Sequence, residues 1–183
     1  MRLSTVPQPA ALLLPDPQPS LTTSRARGGV ALNDPSQGLN VQTWTITTDG
    51  TSVNVEGEAV APSVLFTGAG ITEVSLAFDQ NMRPFVAFVD GDGAKYRWFD
   101  SLDSTIKITA LPGAITPRCC LDDFRPSQVN ASDIILAYVR EGSLYFRAQR
   151  DRYTIEYPLS QATTGLNFVG MGVNLRLQFS VIA

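Results

Sequence analysis

The length of 183 residues fits one domain, or a small domain with an arm, and excludes a multi-domain machine. Hydrophobic residues make up 44% of the chain and charged residues 17%, so the chain can bury a core. A net charge of -3 gives no basic field for a phosphate backbone, so we expect no nucleic acid partner. The apolar run at residues 10–14 is too short for membrane insertion or a secretory signal. We therefore expect a protein made in the cytoplasm.

The sequence has two cysteines, the neighbours Cys119 and Cys120, and no histidine. Adjacent cysteines rarely bond to each other because the ring would be strained, so we expect two reduced strand residues. A zinc site needs about four nitrogen or sulfur ligands, which this composition does not supply. Ser-His-Asp and Cys-His nucleophiles both need a histidine. We therefore expect no metal, no cofactor and no enzymatic activity.

Residues 1–40 are rich in proline, glutamine, serine and threonine, and five prolines lie close together between residues 7 and 19. Each proline fixes its own φ and favours extended geometry in the residue before it. The composition predicts an extended arm with too little apolar surface to fold alone. The arm is either disordered or laid over a neighbouring subunit. We favour the second, with the leucines at 12–14 as the apolar anchor.

From residue 41 to residue 183 the sequence predicts an all-β domain, because short apolar or alternating runs are separated by Gly, Pro, Asn and Asp. Asp49-Gly50 between residues 41–47 and 52–60 predicts a hairpin. Near the end, Leu175, Leu177, Phe179 and Val181 alternate with polar residues, which predicts a final half-buried strand.

An internal repeat matches residues 85–89 to residues 135–139, at an offset of 50 residues. A glycine turn and an aromatic strand follow each run. Strands at 72–78 and 118–122 are expected before these runs and strands at 105–111 and 153–159 after them, which gives repeats of about residues 72–111 and 117–159. Each repeat predicts a four-stranded antiparallel sheet. The two sheets form either an antiparallel sandwich or blade-like units of a β-propeller, whose closure takes about four to eight blades. If the sheets are blade-like, three chains with two blades each could complete a six-bladed ring, so we expect an oligomer.

Charged residues crowd the strand ends of the second repeat. Guanidinium groups pair bidentately with carboxylates, which predicts a network that ties the strand ends together. A subunit contact is the alternative, since Arg is enriched at interfaces. The structural or interface candidates are Asp122, Asp123, Arg125, Asp133, Arg140, Arg147, Arg150, Asp151 and Arg152.

Four elements in the second half follow one another in a fixed order. They are Leu-Asp-Asp at 121–123, Asp-x-x-Leu-Ala-Tyr-x-Arg at 133–140, Gln-Arg-Asp-Arg-Tyr at 149–153 and Leu-Arg-Leu-Gln-Phe at 175–179. Over about residues 75–183, this order resembles a family of virion structural or tail-associated proteins of tailed bacteriophages. The resemblance implies a particle component that assembles with other virion proteins. Phe124 stands where that family usually has Lys or Arg, so no fixed ionic role is implied there.

Three functions compete on these grounds. The first is a tail adaptor, hub or fibre-attachment protein located in the virion. The second is a carbohydrate- or receptor-binding module that stacks Trp44, Tyr96 or Trp98 on a host surface glycan, although core packing would also explain these aromatics. The third is a capsid decoration protein. Asp122 and Asp123 are not expected to cleave glycosides, because neighbouring strand residues point to opposite faces.

Overall fold

The computed structural model describes residues 28–32, 43–57, 60–79, 83–122, 133–171 and 177–182. The all-β class expected from the sequence is confirmed, since nearly all of these residues lie in antiparallel strands. Residues 1–27, with the predicted apolar anchor, lie outside the described residues, and so do Asp123, Arg125 and Leu175.

Three four-stranded antiparallel sheets follow one another along the chain, each with its strands in sequence order. The first sheet contains β1 (Gly28–Leu32), β2 (Thr43–Thr48), β3 (Ser52–Gly57) and β4 (Val60–Thr67). The second contains β5 (Glu73–Phe78), β6 (Pro84–Asp90), β7 (Gly93–Asp100) and β8 (Thr105–Ala110). The third contains β9 (Ala114–Leu121), β10 (Ile134–Arg140), β11 (Ser143–Ala148) and β12 (Tyr157–Ala162). The fourth sheet pairs β13 (Gly165–Met171) with β14 (Leu177–Ile182).

The second and third sheets are the two that the internal repeat predicts. The hairpin of β2 and β3 around Asp49-Gly50 and the final strand β14 are also confirmed. Two boundary predictions are wrong, because β9 begins at Ala114 and not at Arg118, and β12 begins at Tyr157 and not at Tyr153. Arg152 and Tyr153 have φ values of 50° and 59°, and two successive left-handed residues turn the chain, so the extended strand starts only after them.

The first sheet is larger than the hairpin that the sequence predicts. β1 lies inside the segment expected to be an extended arm, where it pairs antiparallel with β2. β4 adds a strand on the other side of β3 and carries Pro62 on the sheet edge, a position that tolerates the missing amide donor. The unit that repeats is therefore present three times and not twice.

The four sheets stack face to face in chain order, and a separate apolar cluster fills each of the three gaps. Strand β6 shows the alternation, since Val86 and Phe88 face the first sheet while Phe85 and Ala87 face the third. The third cluster, around Ile135, joins the third sheet to the fourth. A two-sheet sandwich would bury one face per sheet, whereas the second and third sheets bury both faces. The blade-like alternative is therefore the one that the structure shows.

The stack is an open arc among the described strands, because extensive contacts link only sheets that are consecutive in the chain. The first strand of each sheet lies on the inner side of this arc, where β1 contacts β5, β5 contacts β9, and β9 contacts β13. Polar bonds join these inner strands. The amide of Cys119 donates to Ser75 Oγ at 2.9 Å, and the amide of Leu166 donates to Thr116 Oγ1 at 2.8 Å.

Candidate functional site

Several of the predicted charged residues meet where β9 ends and β10 begins. The Arg150 guanidinium lies 3.1 Å from Asp122 and forms a second ion pair with Asp133. Backbone bonds close the same corner, since Asp122 N donates to Asp133 O at 2.8 Å and Asp133 N donates to Asp122 Oδ1 at 2.6 Å. One guanidinium thus holds two carboxylates from adjacent strands. Burial raises the pKa of Asp133, and the charge of Arg150 opposes that rise.

A short 3-10 helix, Gln149–Asp151, positions Arg150 for these contacts. The other side chains of this helix also form hydrogen bonds to the third sheet. Gln149 Oε1 accepts from Ile134 N at 3.1 Å. Asp151 Oδ2 accepts from the Tyr157 hydroxyl at 2.8 Å. The predicted element 149–153 therefore forms a corner that ties together three strands of the third sheet.

Arg152 connects the third sheet to the second. Its guanidinium bonds to Asp100 at the end of β7, and Lys107 Nζ lies 2.6 Å from the same carboxylate. The Asp100 side chain is almost fully buried and also accepts from Leu102 N at 3.1 Å. Bonds from Lys107 first, and from Arg152, lower the pKa of Asp100 from 3.8 to about 2. No spacing in the sequence indicates this pair, because Asp100 and Arg152 come from different repeats.

Tyr153 lies between the second and third sheets, at the centre of an aromatic cluster. Its ring centroid is 5.0 Å from that of Phe85, 5.4 Å from Tyr96 and 5.2 Å from Trp98, the last in an edge-on arrangement. The left-handed conformation at Arg152 and Tyr153 turns the chain so that this ring enters the core. Tyr153 therefore acts as a wedge that joins the two repeats.

The same cluster corrects the proposed sugar-stacking role of Tyr96 and Trp98. Their side chains are 2% and 9% exposed, and Trp98 Nε1 donates to Thr109 Oγ1 at 3.1 Å. A ring that is buried on both faces cannot stack on a glycan, so core packing explains both residues. Trp44 is only half-buried, and it packs on Phe78 at 5.2 Å against the apolar cluster between the first and second sheets.

Glu156 forms ion pairs with two more of the predicted arginines. Arg140 forms an ion pair with Glu156, and Arg147 Nη2 lies 3.2 Å from the same carboxylate. The Tyr138 hydroxyl donates to Glu156 and accepts from Arg147 Nε at 2.9 Å. Burial, followed by the bond to Glu156, raises the pKa of Tyr138. Burial would raise the pKa of Glu156, but the bonds from Tyr138 and Arg147 and the charge of Arg140 hold it below its usual value.

Glu156 is not among the charged residues that the sequence indicates, because it lies in the stretch 153–159, which reads as a strand and not as a charged site. Its partners come from β10 and β11, which are separated from it by many residues along the chain, so no local spacing indicates the contact. The charged candidates that the structure describes thus form three intrachain groups, around Arg150, Asp100 and Glu156.

The two thiols lie on opposite faces of β9, as their adjacency predicts. Both are free and fully buried, with Cys119 facing the second sheet and Cys120 facing the fourth. Burial raises the pKa of Cys119 to about 12 and that of Cys120 well above 9.0. Within the ranges that the structure describes, no group of three or more metal-ligating side chains is found.

An exposed apolar strip runs along β8, the outer edge strand of the second sheet. Ile106 and Ile108 are 56% and 57% exposed and lie side by side on one face of the strand. Leu102, in the turn that leads into β8, is also exposed. Among the described strands β8 pairs with β7 alone, so no described strand covers its other backbone edge. We refer to Leu102, Ile106 and Ile108 as the β8 strip.

The comparisons with known proteins gave no match to a family model, to a curated protein or to a solved structure. Among the described residues, no helix has the length and apolar character needed to cross a bilayer. The functional proposal therefore rests on the geometry of the described residues.

Proposed function

We propose that this protein is a structural component of a tailed-bacteriophage virion, and that it acts at the tail as an adaptor, hub or fibre-attachment protein. Its partners would be other virion proteins and further copies of itself. The observation that carries the proposal is the β8 strip, where exposed isoleucines lie beside a backbone edge that no described strand covers. Such an edge is a template for pairing with another chain, and the one charged residue of β8, Lys107, is already paired with Asp100 and Asp103 of its own sheet.

The charged residues of the motifs support the proposal because they form ion pairs within their own chain. Arg150, Arg152 and Arg147 each bond to carboxylates of their own chain, so the elements that resemble virion proteins hold the sheet corners in place. An exposed ion pair contributes only about 0–1 kcal/mol, whereas burying one isoleucine contributes about 1.5–3 kcal/mol. Subunit affinity would therefore come mainly from the β8 strip.

Electron microscopy of purified particles, labelled with a gold-conjugated antibody against this chain, tests the location. Label on the tail is the expected result. Label on the head would favour capsid decoration in place of the tail role. Particles that carry no label, although the antibody recognises the denatured chain in infected cells, would overturn the virion proposal.

Substitution of the β8 strip tests the contact. We expect I106K/I108K to abolish incorporation into particles, because two buried charges in an interface cannot be compensated. V64K is the matched control, since Val64 is 58% exposed on a different sheet. Both variants are first checked for an unchanged melting temperature. Normal incorporation of I106K/I108K would show that β8 is not the contact surface.

A further inference from the structure

Three aspartates in the sequence are followed directly by glycine: Asp49, Asp90 and Asp92. At such a pair the glycine amide nitrogen can attack the side-chain carboxyl carbon, because glycine has no Cβ to hinder the approach. The amide hydrogen and the carboxyl hydroxyl leave as water, and a cyclic succinimide forms. Water then opens the ring at either carbonyl carbon, which gives aspartate or an isoaspartate whose main chain runs through Cβ. The reacting pair is the same at all three sites, so the fold decides which of them reacts.

The carboxylate of Asp49 is fixed by hydrogen bonds within its own turn. Its Oδ1 accepts from Ser52 N at 2.7 Å, from Thr51 N at 2.8 Å and from Thr51 Oγ1 at 2.9 Å. The bond from the Ser52 amide first, and then those from Thr51, lower the pKa of Asp49. An ionised carboxylate has no hydroxyl group that could leave as water. These bonds must therefore break before Asp49 can react.

The carboxylate of Asp90, the last residue of β6, is also restrained. Its side chain is only 13% exposed, and Oδ2 accepts from Lys95 Nζ at 2.8 Å. Oδ1 accepts from Asp92 N at 3.0 Å. The main chain is held as well, because Asp90 pairs with Gly93 at the end of the ladder between β6 and β7. Burial and bonding therefore oppose the rotation that would bring the Asp90 carboxyl group to the next amide.

The carboxylate of Asp92 lies in the turn between β6 and β7 and is much less restrained. Its side chain is 86% exposed, and among the described residues it bonds only to Lys95 Nζ, at 3.0 Å. An exposed ion pair with a flexible lysine side chain contributes little and opens readily. The space beside Gly93 is open too, since a Cβ placed there would meet no atom within 4 Å. The Asp92 carboxyl group can therefore rotate toward Gly93 N.

We propose that Asp92 is a site of spontaneous isoaspartate formation in the folded protein. The reaction releases one water and takes up one water, so it needs no oxidant, reductant or cofactor. The isoaspartyl linkage adds a backbone carbon between β6 and β7, the central strands of the second sheet. In the same turn, Gly91 N donates to Ala69 O at 3.4 Å, in the connection from the first sheet. A displaced turn should therefore loosen the second sheet and its contact with the first. This inference does not depend on the virion role.

Prolonged incubation of the purified full-length chain in mildly acidic buffer tests the proposal. Proteolytic peptides are analysed by electron-transfer fragmentation, which distinguishes isoaspartate from aspartate at each position. We expect isoaspartate to accumulate at Asp92 at least about tenfold faster than at Asp49 or Asp90, since each bond to a carboxylate that must break slows the reaction by about that factor. The same chain in urea, where the turns are lost, should react at the three positions at similar rates.

Equal rates at Asp92 and Asp49 in the folded chain would overturn the proposal, and so would isoaspartate at Asp92 that forms only in urea. Asp92→Glu is the matched variant, because it keeps a carboxylate near Lys95 but would have to close a larger ring, which forms far more slowly. The two proteins should melt alike before incubation. After it, we expect a lower-melting fraction in the unmodified protein and none in Asp92→Glu, whereas equal fractions in both would overturn the proposed effect on the turn.

Discussion

Arg118 on β9 reaches across the stack to Glu73 on β5, with Nη1 at 2.9 Å from the carboxylate oxygen. The arginine side chain is fully buried, and its Nε also donates to Asn167 O of β13 at 3.1 Å. One guanidinium therefore contacts the inner strands of the second, third and fourth sheets.

Removing the charge of Glu73 should destabilise the protein. Glu73→Gln keeps the shape of the side chain but leaves the buried guanidinium without its carboxylate, so we expect a loss of about 2 kcal/mol in the free energy of unfolding. Urea denaturation measures it. Glu56→Gln, the same change at an exposed position of β3, should cost less than about 0.5 kcal/mol. Equal effects of the two variants would show that the Arg118 contact contributes no stability.

The buried Asp100 predicts how stability depends on pH. Its pKa falls from 3.8 to about 2 on folding, chiefly through the bond from Lys107. A carboxyl group with a lowered pKa stabilises the fold above its unfolded pKa and loses that contribution as the pH falls through the folded value. The melting temperature should therefore decline between pH 3.8 and about 2, and Asp100→Asn should flatten this part of the profile.

Asp92→Asn is the control for the Asp100 variant, since the Asp92 side chain is 86% exposed. Its pH profile between the same limits should follow that of the unmodified protein. If the pH profile of Asp100→Asn also follows that of the unmodified protein, the ion pairs of Asp100 with Lys107 and Arg152 do not contribute to stability in acid.

The aromatic wedge between the second and third sheets should be a large contributor to stability. Tyr153→Ala removes a fully buried ring from between Phe85 and Trp98, for which we expect a loss of about 3–5 kcal/mol. Tyr157→Ala, at a half-buried ring stacked on Phe146 at 4.8 Å, should cost clearly less. Urea unfolding followed by tryptophan fluorescence measures both. A smaller effect at Tyr153 than at Tyr157 would contradict the role of the wedge.

Prediction from the sequence succeeded where the signal is local. Alternation, Asp-Gly turns and the 50-residue repeat predict β5 to β12 with two wrong boundaries, because each of these signals lies within a few residues of the strand that it specifies. The sequence analysis does not predict β1, β4 or β13. β1 is only five residues long and begins with two glycines, while β4 contains Pro62 and is exposed along most of its length. Neither carries a clear alternation.

The polar contacts could be predicted only in part. The corner around Arg150 follows from charges near adjacent strand ends, so the expected Arg and Asp pairing is present there. Arg118 and Asp100 were not singled out, since their partners are brought close by the stacking of sheets and not by any spacing in the sequence. Sugar stacking and core packing both remain open for Tyr96 and Trp98 in the sequence, because residue type does not show which face of β7 is covered.

The two thiols should be unreactive while the protein is folded. Burial raises the pKa of Cys119 to about 12 and places both side chains out of reach of solvent. Because the thiolate is the reactive form, iodoacetamide at about pH 8 should modify neither residue in the native protein and both in urea. Mass spectrometry counts the adducts. A native protein that gains one adduct at the rate of the unfolded chain would show that β9 opens readily.

The last strand should be required for a soluble fold. A chain that ends at Gly172 lacks β14, whose Leu177, Phe179 and Val181 pack on the third apolar cluster. Its loss would expose Leu166 and Val169, which are fully buried, together with the backbone edge of β13. An apolar face beside an unpaired edge promotes aggregation, so we expect the shortened chain in the insoluble fraction. Ser180→Asp, an exposed substitution in the same strand, should stay soluble, and a soluble shortened chain that unfolds cooperatively would show that β14 is dispensable.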